Sequence, residues 1–119
     1  MPSYRVQRTS EDVLRELSAI LREMKDPRVA NAMLSIVKLD LASDLTSCKV
    51  YISSVKGLEV AKEAEKALKL GSGFVRRELG RRVEMRHTPE LHFVADGSIE
   101  HSADIARILH RLEEDRDEN

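Results

Sequence analysis

The sequence is poor in cysteine and in aromatic residues. Its 119 residues include one cysteine, two tyrosines, two phenylalanines and no tryptophan. Because a single thiol cannot form an internal disulfide, the disulfide-rich secreted class is excluded and a reducing compartment is expected. The shortage of aromatic rings also leaves little material for a ligand pocket lined by stacking side chains.

Long apolar runs are missing as well. No stretch approaches the roughly 18 apolar residues that a membrane-spanning helix requires. The first residues, MPSYRVQRTSEDV, contain no apolar segment of the kind found in a secretory signal. We therefore expect a cytoplasmic protein with no membrane partner. A chain of this length can bury its own core, so we predict a single domain over residues 1–119 that is monomeric.

The familiar catalytic and cofactor-binding motifs are also absent. Gly71-Ser72-Gly73 is not followed by glycine at position 76, so the dinucleotide fingerprint is incomplete, and there is neither a Gly-Lys-Ser/Thr phosphate loop nor a His-Glu-x-x-His pair. The four histidines lack the spacing of metal ligands. Asp40 and Asp44 resemble paired carboxylates, but a strand and a turn position explain them equally well. We predict a protein that is not an enzyme and uses no cofactor or metal.

The net charge of −1 conceals an uneven distribution. The last 20 residues, from Glu100 onward, hold three basic and seven acidic residues, a net of −4, so the rest of the chain carries +3. Five arginines are concentrated between Gly71 and His87, namely Arg76, Arg77, Arg81, Arg82 and Arg86. Such a segment suits RNA phosphates. An arginine-covered surface helix would produce the same pattern.

Apolar residues at helical spacing predict a first helix that runs to Met24. Thr9 or Ser10 is the expected N-cap, which places Arg5 and Arg8 in a flexible arm over about residues 1–8. Asp26-Pro27-Arg28 is predicted to be a turn, because proline cannot continue the helix.

Alternating apolar and polar residues predict three strands, at residues 34–41, 48–53 and 91–95. The polar residues 42–47 join the first two strands in a hairpin, in which Asp44 should bond its own backbone. The residues expected to face the core are Val37, Leu39, Leu41, Cys48, Val50, Ile52, Leu91, Phe93 and Ala95.

Two helical segments separate the hairpin from the third strand. The first is rich in alanine, and the second should bury Phe74 or Val75 together with Leu79 and Val83. Because the crossover is helical, the third strand should lie parallel to a hairpin strand. The predicted fold is α+β, with a three-stranded mixed sheet and helices on one face. A last helix is predicted at 105–112, before an acidic tail at about 113–119 that frays.

Gly71-Ser72-Gly73, which divides the two segments, is the most informative local feature. It is compatible with an ordinary helix C-cap. However, each glycine costs about 1 kcal/mol in a helix relative to alanine, and a sharp bend or the close approach of another backbone would explain both. The helix that begins after the bend presents free N–H groups suited to a phosphate, and Arg76 and Arg77 add charged, forked donors. Together these features predict a clamp for an RNA backbone.

Several short motifs stand in an order that is typical of one family. They are Arg5-Val6-Gln7-Arg8, Asp26-Pro27-Arg28, Ser43-Asp44-Leu45, Lys49-Val50-Tyr51-Ile52-Ser53, Gly73-Phe74-Val75-Arg76-Arg77-Glu78-Leu79-Gly80, Arg86, Pro89-Glu90-Leu91-His92-Phe93 and Asp96-Gly97-Ser98-Ile99. In this order they closely resemble the ribosome-binding factor A family, bacterial assembly factors of the small ribosomal subunit. The resemblance extends from Arg5 to about Leu112.

The resemblance implies a type II KH-like domain, which agrees with the order of elements predicted above. KH domains grip a nucleic-acid backbone with a GXXG loop, and this family has an interhelical kink of Ala-x-Gly type in its place. Here the kink is Gly71-Ser72-Gly73, so Gly71 replaces the usual alanine and should loosen the bend.

The resemblance also implies a non-enzymatic function in ribosome biogenesis. Family members bind the immature 30S subunit, contact its 16S rRNA, and support late maturation and processing of the rRNA 5′ region, notably in the cold. Assembly GTPases act with or after them. The RNA-binding residues implied here are Arg5, Arg8, Gly71, Ser72, Gly73, Arg76, Arg77, Arg81, Arg82 and Arg86. Arg28 is a weaker candidate, while Pro89, Glu90, Leu91 and Phe93 are assigned to starting and packing the third strand.

The sequence is also compatible with other functions and with other roles for these arginines. A protein-interaction module could use the acidic last helix and the exposed sheet, and a small RNA hydrolase would need a catalytic set that the sequence does not show. Arg81 and Arg82 are also explained by pairing with Glu78 or Glu84 within their helix.

Overall fold

The structure is a computed structural model that describes residues 4–97, with side chains from residue 8 onward. The elements in chain order are helix α1 (Tyr4–Glu23), helix α2 (Pro27–Ala30), strands β1 (Leu34–Leu41) and β2 (Ser47–Ser54), helices α3 (Leu58–Leu70) and α4 (Ser72–Arg82), and strand β3 (Glu90–Ala95). The predicted last helix at 105–112 and the acidic tail at about 113–119 lie outside the described residues. Within them the predicted order is confirmed, with α2 as an addition.

The three strands form a mixed sheet with the order β1-β2-β3. β1 and β2 are antiparallel, whereas β2 and β3 are parallel, as the helical crossover predicted. One face of the sheet is buried through Cys48, Val50, Ile52 and Phe93, all at most 1% exposed. The helices therefore cover one face, and β3 is an edge strand in the part of the chain that the structure describes.

The prediction that Val37 faces the core is wrong. Ile36 pairs with Ile52 and Lys38 pairs with Tyr51, so Val37 is the extra residue of a β-bulge. Val37 is 36% exposed, and Ile36 packs against the core instead. One inserted residue reverses the facing of every residue that follows it, and an alternating pattern does not show where the insertion falls.

The first helix begins earlier than its predicted cap. α1 starts at Tyr4, so Thr9 and Ser10 lie inside the helix, and Arg5 and Arg8 belong to its first turns rather than to an arm ahead of it. The helical period does extend back, since Val6 precedes Val13 by two turns. Serine and threonine weaken a helix interior only slightly, so they do not compel a start.

The predicted turn at Asp26-Pro27-Arg28 is a single turn of helix. Asp26 is the N-cap of α2, and its Oδ1 accepts a hydrogen bond from the Arg28 backbone N at 2.9 Å. The Arg28 guanidinium also pairs with Asp26, with 3.0 Å between Nη2 and Oδ2. These hydrogen bonds hold the pKa of Asp26 below its ordinary value.

The core lies between the sheet and the three long helices. α1 contributes Val13, Leu17 and Ile20, and α4 contributes Val75 and Leu79, all of them buried. α3 packs on β2 and β3 through Ala61, Ala64, Ala67 and Leu68. Small side chains on this face let the helix lie close to the sheet, which brings its C-terminal end beside the β3 edge.

Gly80 allows residues 83–89 to pack closely against α4. A Cβ at this position would lie 2.7 Å from Thr88 Oγ1, closer than packed atoms approach. Apart from the backbone of its own helix and its chain neighbours, no atom of the described residues lies within 4 Å of the corresponding position at Gly73. Glycine at position 80 therefore leaves room for Thr88, whereas no described residue fills the space beside position 73.

We predict that Gly80→Ala and Gly73→Ala have opposite effects on the free energy of unfolding. Both gain helix propensity, worth up to about 1 kcal/mol, but Gly80→Ala adds an overlap with Thr88, and overpacking costs about 1–3 kcal/mol. Denaturant unfolding should rank Gly80→Ala below wild type and Gly73→Ala equal to it or above. Equal stabilisation by both changes would contradict the packing described here.

Candidate RNA interface

An open groove lies between the α3–α4 helix pair and the edge of β3. Its volume is about 530 Å³. The helix side contributes Ser72, Gly73 and Arg76, and the strand side contributes Glu90 and His92, with further lining from Glu65, Lys69, Leu91, Phe93 and Val94. Among residues 4–97, β3 pairs only with β2, so in this part of the chain the groove faces an unpaired strand edge, where backbone N–H and C=O groups are available to a ligand.

The bend between α3 and α4 is centred on Gly71. This residue caps both helices: its N donates to Ala67 O at 2.9 Å, and its O accepts from Val75 N at 3.1 Å. Its φ of −94° and ψ of 12° are open to any residue. A Cβ here would lie 3.4 Å from Ala67 O, an ordinary contact. The geometry thus accepts the alanine that the family resemblance implies, as well as the glycine.

Gly73 presents bare backbone at the groove. Because no described residue outside its own helix backbone and chain neighbours comes within 4 Å of the position that its Cβ would occupy, packing among these residues does not explain this glycine. Phe74, next to it, has 47% of its surface exposed, while Val75 is buried. The alternative that placed Phe74 in the core is therefore wrong, and an aromatic ring is left at the bend where a base could stack.

The Arg76 side chain is hydrogen-bonded to another segment of the same chain. Its Nε and Nη2 donate to the Thr88 carbonyl O at 3.2 and 2.8 Å. These hydrogen bonds hold residues 83–89 against α4, at the point where the chain turns into β3. Arg76 thus lines the groove but has a structural partner that the sequence did not reveal.

Arg82 ties the end of α4 to α1. Its Nη2 lies 2.5 Å from Glu23 Oε2 and 3.5 Å from Glu78 Oε2, and its Nη1 lies 4.0 Å from Glu16 Oε2. The hydrogen bond and charge of Arg82 hold the pKa of Glu23 below its ordinary value. Arg81 pairs with Glu78 at 2.8 Å, yet its side chain remains 75% exposed. Pairing with Glu78 inside the helix is therefore present for both arginines.

The remaining predicted cations are more available to a ligand. The side chains of Arg77 and Arg86 are exposed and form no hydrogen bond or ion pair with any other residue in the described range 4–97. Arg8 is exposed on α1, and Arg5 lies in the same helix. Arg77 is followed one helical turn later by Arg81, so these two point to the same side of α4. The structure thus divides the arginine segment into internally bound and available cations.

Two other candidates have structural roles. Asp44 Oδ1 accepts hydrogen bonds from Thr46 N at 3.1 Å and Thr46 Oγ1 at 2.7 Å, which confirms its assignment as a turn former. Burial, with a smaller contribution from the Asp40 carboxylate, raises the pKa of the Cys48 thiol to about 11. A thiol of this kind is a core residue and not a nucleophile.

The third strand starts and packs as predicted. Pro89, Leu91 and Phe93 are buried, and Glu90 N donates to Thr46 O at 2.9 Å as the strand begins. The residues that the sequence analysis missed are Lys69 and His92, which line the groove. His92 is on the outward parity of β3, but its place at the groove follows only once β3 is known to be an edge strand.

In the described range, no group of three or more His, Cys, Asp or Glu side chains is placed to hold a metal ion. No helix there is long and apolar enough to cross a membrane. The open groove, the uncovered glycine, the exposed phenylalanine and the unpaired arginines instead define a small α+β binding domain, in which a bent helix pair faces a sheet edge.

Comparison with known proteins identifies the family of this binding domain. The family model described as Ribosome-binding factor A matches residues 5–109. The chain belongs to this family, and the resemblance seen in the sequence motifs is confirmed.

Relatives match over nearly the whole chain. Ribosome-binding factor A of Clostridium tetani is 42% identical over 118 residues, which cover 98% of this chain and 97% of that protein. The protein of the same name from Caldanaerobacter subterraneus subsp. tengcongensis is 44% identical over 110 residues, covering 92% and 89%.

Solved structures agree with the fold. The crystal structure of ribosome-binding factor A from Thermus thermophilus matches with a TM-score of 0.66 and 26% identity, over 75% of this chain and 92% of that one. A homology model of the Thermus thermophilus factor, as fitted into the cryo-EM map of a 30S complex, matches with a TM-score of 0.54 and 26% identity, covering 75% and 88%.

We predict that the stabilising effect of Arg82 depends on pH. The lowered pKa of Glu23 means that this stabilisation is complete above the ordinary value of 4.5 and is lost as the pH falls through the folded-state pKa. Denaturant unfolding across a pH series should show Arg82→Gln less stable than wild type at neutral pH, with a difference that shrinks in acid. Arg77→Gln, in the same helix but without a partner among the described residues, should match wild type throughout. A difference for Arg82→Gln that stays constant with pH would contradict the ion pair.

Proposed function

We propose that this protein is a non-enzymatic assembly factor that binds the immature 30S subunit by contacting its 16S rRNA. The observation that carries the proposal is the groove that Gly73 lines with open backbone. The next residue in α4, Phe74, is exposed, and Arg77 follows Gly73 by one helical turn with an exposed side chain that has no partner among the described residues. The 30S complex of the Thermus thermophilus relative supports the choice of partner.

The proposed contact is that of a KH-like domain in which the kink replaces the usual loop. An RNA backbone would pass Gly73, where no side chain obstructs it, and its phosphates would meet Arg77, Arg81 and Arg86. A base beside the backbone would stack on Phe74. Arg8 and Arg5, on the first turns of α1, would extend the contact. Arg76 and Arg82 would hold the surface in shape from within.

Such a factor acts by occupancy. Because it binds one conformer of the immature subunit, it raises the population of that conformer on the maturation path, and no covalent step is needed. We place this action in late maturation and processing of the rRNA 5′ region, in the cytoplasm, by a monomer. We also place it before or beside the assembly GTPases, with its greatest importance in the cold.

We predict that Arg77→Glu and Arg86→Glu weaken binding to purified small subunits. Each change removes one phosphate contact, so the slope of log affinity against log salt should become shallower by about 1. Co-sedimentation of the full chain with small subunits over a salt series measures both quantities.

Lys38→Glu provides the matched control. Lys38 is exposed on β1, the strand at the opposite edge of the sheet from β3, and its change alters the net charge by the same amount. Binding that is insensitive to salt, or an equal loss from Lys38→Glu, would refute the proposed RNA contact.

A further inference from the structure

An apolar pocket lies at the end of the sheet where β1 begins and β2 ends, and the proposed RNA contact does not use it. It has a volume of about 360 Å³ and is lined by Leu21, Val29, Met33, Leu34 and Val55, together with Arg22, Ala30 and Ser35. Met33 is 60% exposed and Val55 is 75% exposed. Large apolar side chains that are exposed next to each other are typical of a binding surface.

The backbone at Met33 is strained. Its φ of 50° is in the left-handed region, which residues other than glycine seldom adopt. Neighbouring contacts hold this conformation: Ser54 Oγ donates to Ala32 O, and Lys56 Nζ donates to Asn31 O at 2.6 Å. A strained residue with an exposed apolar side chain, held by hydrogen bonds to the two residues before it, is typical of a site that serves a contact.

The rim of the pocket is cationic. None of the lining residues is acidic, and Arg22 forms no ion pair with any described residue. The Lys56 ammonium lies close by, at Asn31. The occupant that fits this chemistry is therefore an apolar stripe with carboxylates beside it.

The C-terminal part of this chain has that composition. Apolar residues recur at helical spacing in Ile105, Ile108, Leu109 and Leu112, and an acidic cluster follows in Glu113, Glu114, Asp115, Asp117 and Glu118. The stripe lies outside the described residues.

The chain leaves the sheet near the pocket. β3 runs parallel to β2, and Asp96 N donates to Ile52 O at 2.7 Å, so β3 ends at the end of the sheet where β2 leads to Val55. Gly97 lies against Leu58, three positions beyond Val55. With strands about 4.8 Å apart and up to about 3.3 Å gained per extended residue, the residues between Gly97 and Ile105 are long enough to reach the pocket.

We propose that the segment from Ile105 to Glu118 docks on the Met33–Val55 pocket of its own chain, with its apolar stripe on Met33 and Val55 and its carboxylates facing Arg22 and Lys56. The contact would cover exposed apolar surface at the end of the sheet away from the β3 start. It does not depend on the proposed RNA contact.

Methionine methyl NMR with a nitroxide spin label tests this docking in the full chain. The sequence holds four methionines, so the methyl spectrum of a ¹³C-methyl-methionine sample is simple. His110→Cys supplies the labelling site and leaves the apolar stripe intact. The native Cys48 is buried, and burial raises its pKa to about 11, so it does not compete for the label. We expect the label to abolish the Met33 methyl signal, to spare that of Met85, and to restore Met33 on reduction.

Two controls decide between occupants. Val55→Asp puts a like charge beside the acidic cluster at an exposed position, so it should bring back the Met33 signal without unfolding the protein. A mixture of spin-labelled unenriched chains with unlabelled ¹³C chains should leave Met33 intact. A Met33 signal that survives the label, that vanishes together with Met85, or that vanishes in the mixture would overturn the proposal, the last result assigning the pocket to a second copy.

Discussion

The attachment of residues 83–89 to α4 is the constraint on which the groove depends. Two hydrogen bonds from Arg76 to the Thr88 carbonyl and the absence of a side chain at Gly80 bring this segment flat onto the helix. The segment then places Glu90 next to Thr46, and the hydrogen bond between them begins β3 in its parallel register with β2. If the segment stood further from α4, the edge of β3 would not face Ser72 and Gly73.

The same architecture explains how a nearly neutral chain could present cations to the RNA that we propose as its partner. Arg76, Arg82 and Arg28 are bound to a carbonyl or to carboxylates within the fold. Arg77 and Arg86 remain available, and Arg81 is only partly engaged, by Glu78. A small number of available cations at a shaped groove gives weaker attraction to arbitrary RNA than a strongly basic surface would. That property suits a factor that binds one site on a maturing particle and then leaves.

Local patterns in the sequence were sufficient for most of the fold. The bounds of β1 follow from alternation, and the buried alanines of α3 follow from helical spacing. Alternation could not predict that Val37 faces away from the core, because a bulge is defined only relative to a partner strand. The start of α1 could not be predicted from Thr9 and Ser10, because serine and threonine are acceptable both as caps and inside a helix.

The candidate site depends on tertiary contacts to a greater extent. The kink was evident from Gly71-Ser72-Gly73, but the groove requires the parallel pairing of β3, and the main partner of Arg82 is Glu23, 59 positions away in the chain. Helical spacing could not decide between Phe74 and Val75, since either one completes the buried stripe. The distinction between structural and available arginines thus comes from the folded molecule alone.

We propose that Gly73 is glycine because an RNA backbone passes it. The measurement that tests this role is the affinity of Gly73→Ala for purified small subunits, taken on the same preparation whose free energy of unfolding is measured. We expect a variant that is at least as stable as wild type yet binds small subunits more weakly. Undiminished affinity in a fully folded Gly73→Ala would rule out this role for Gly73.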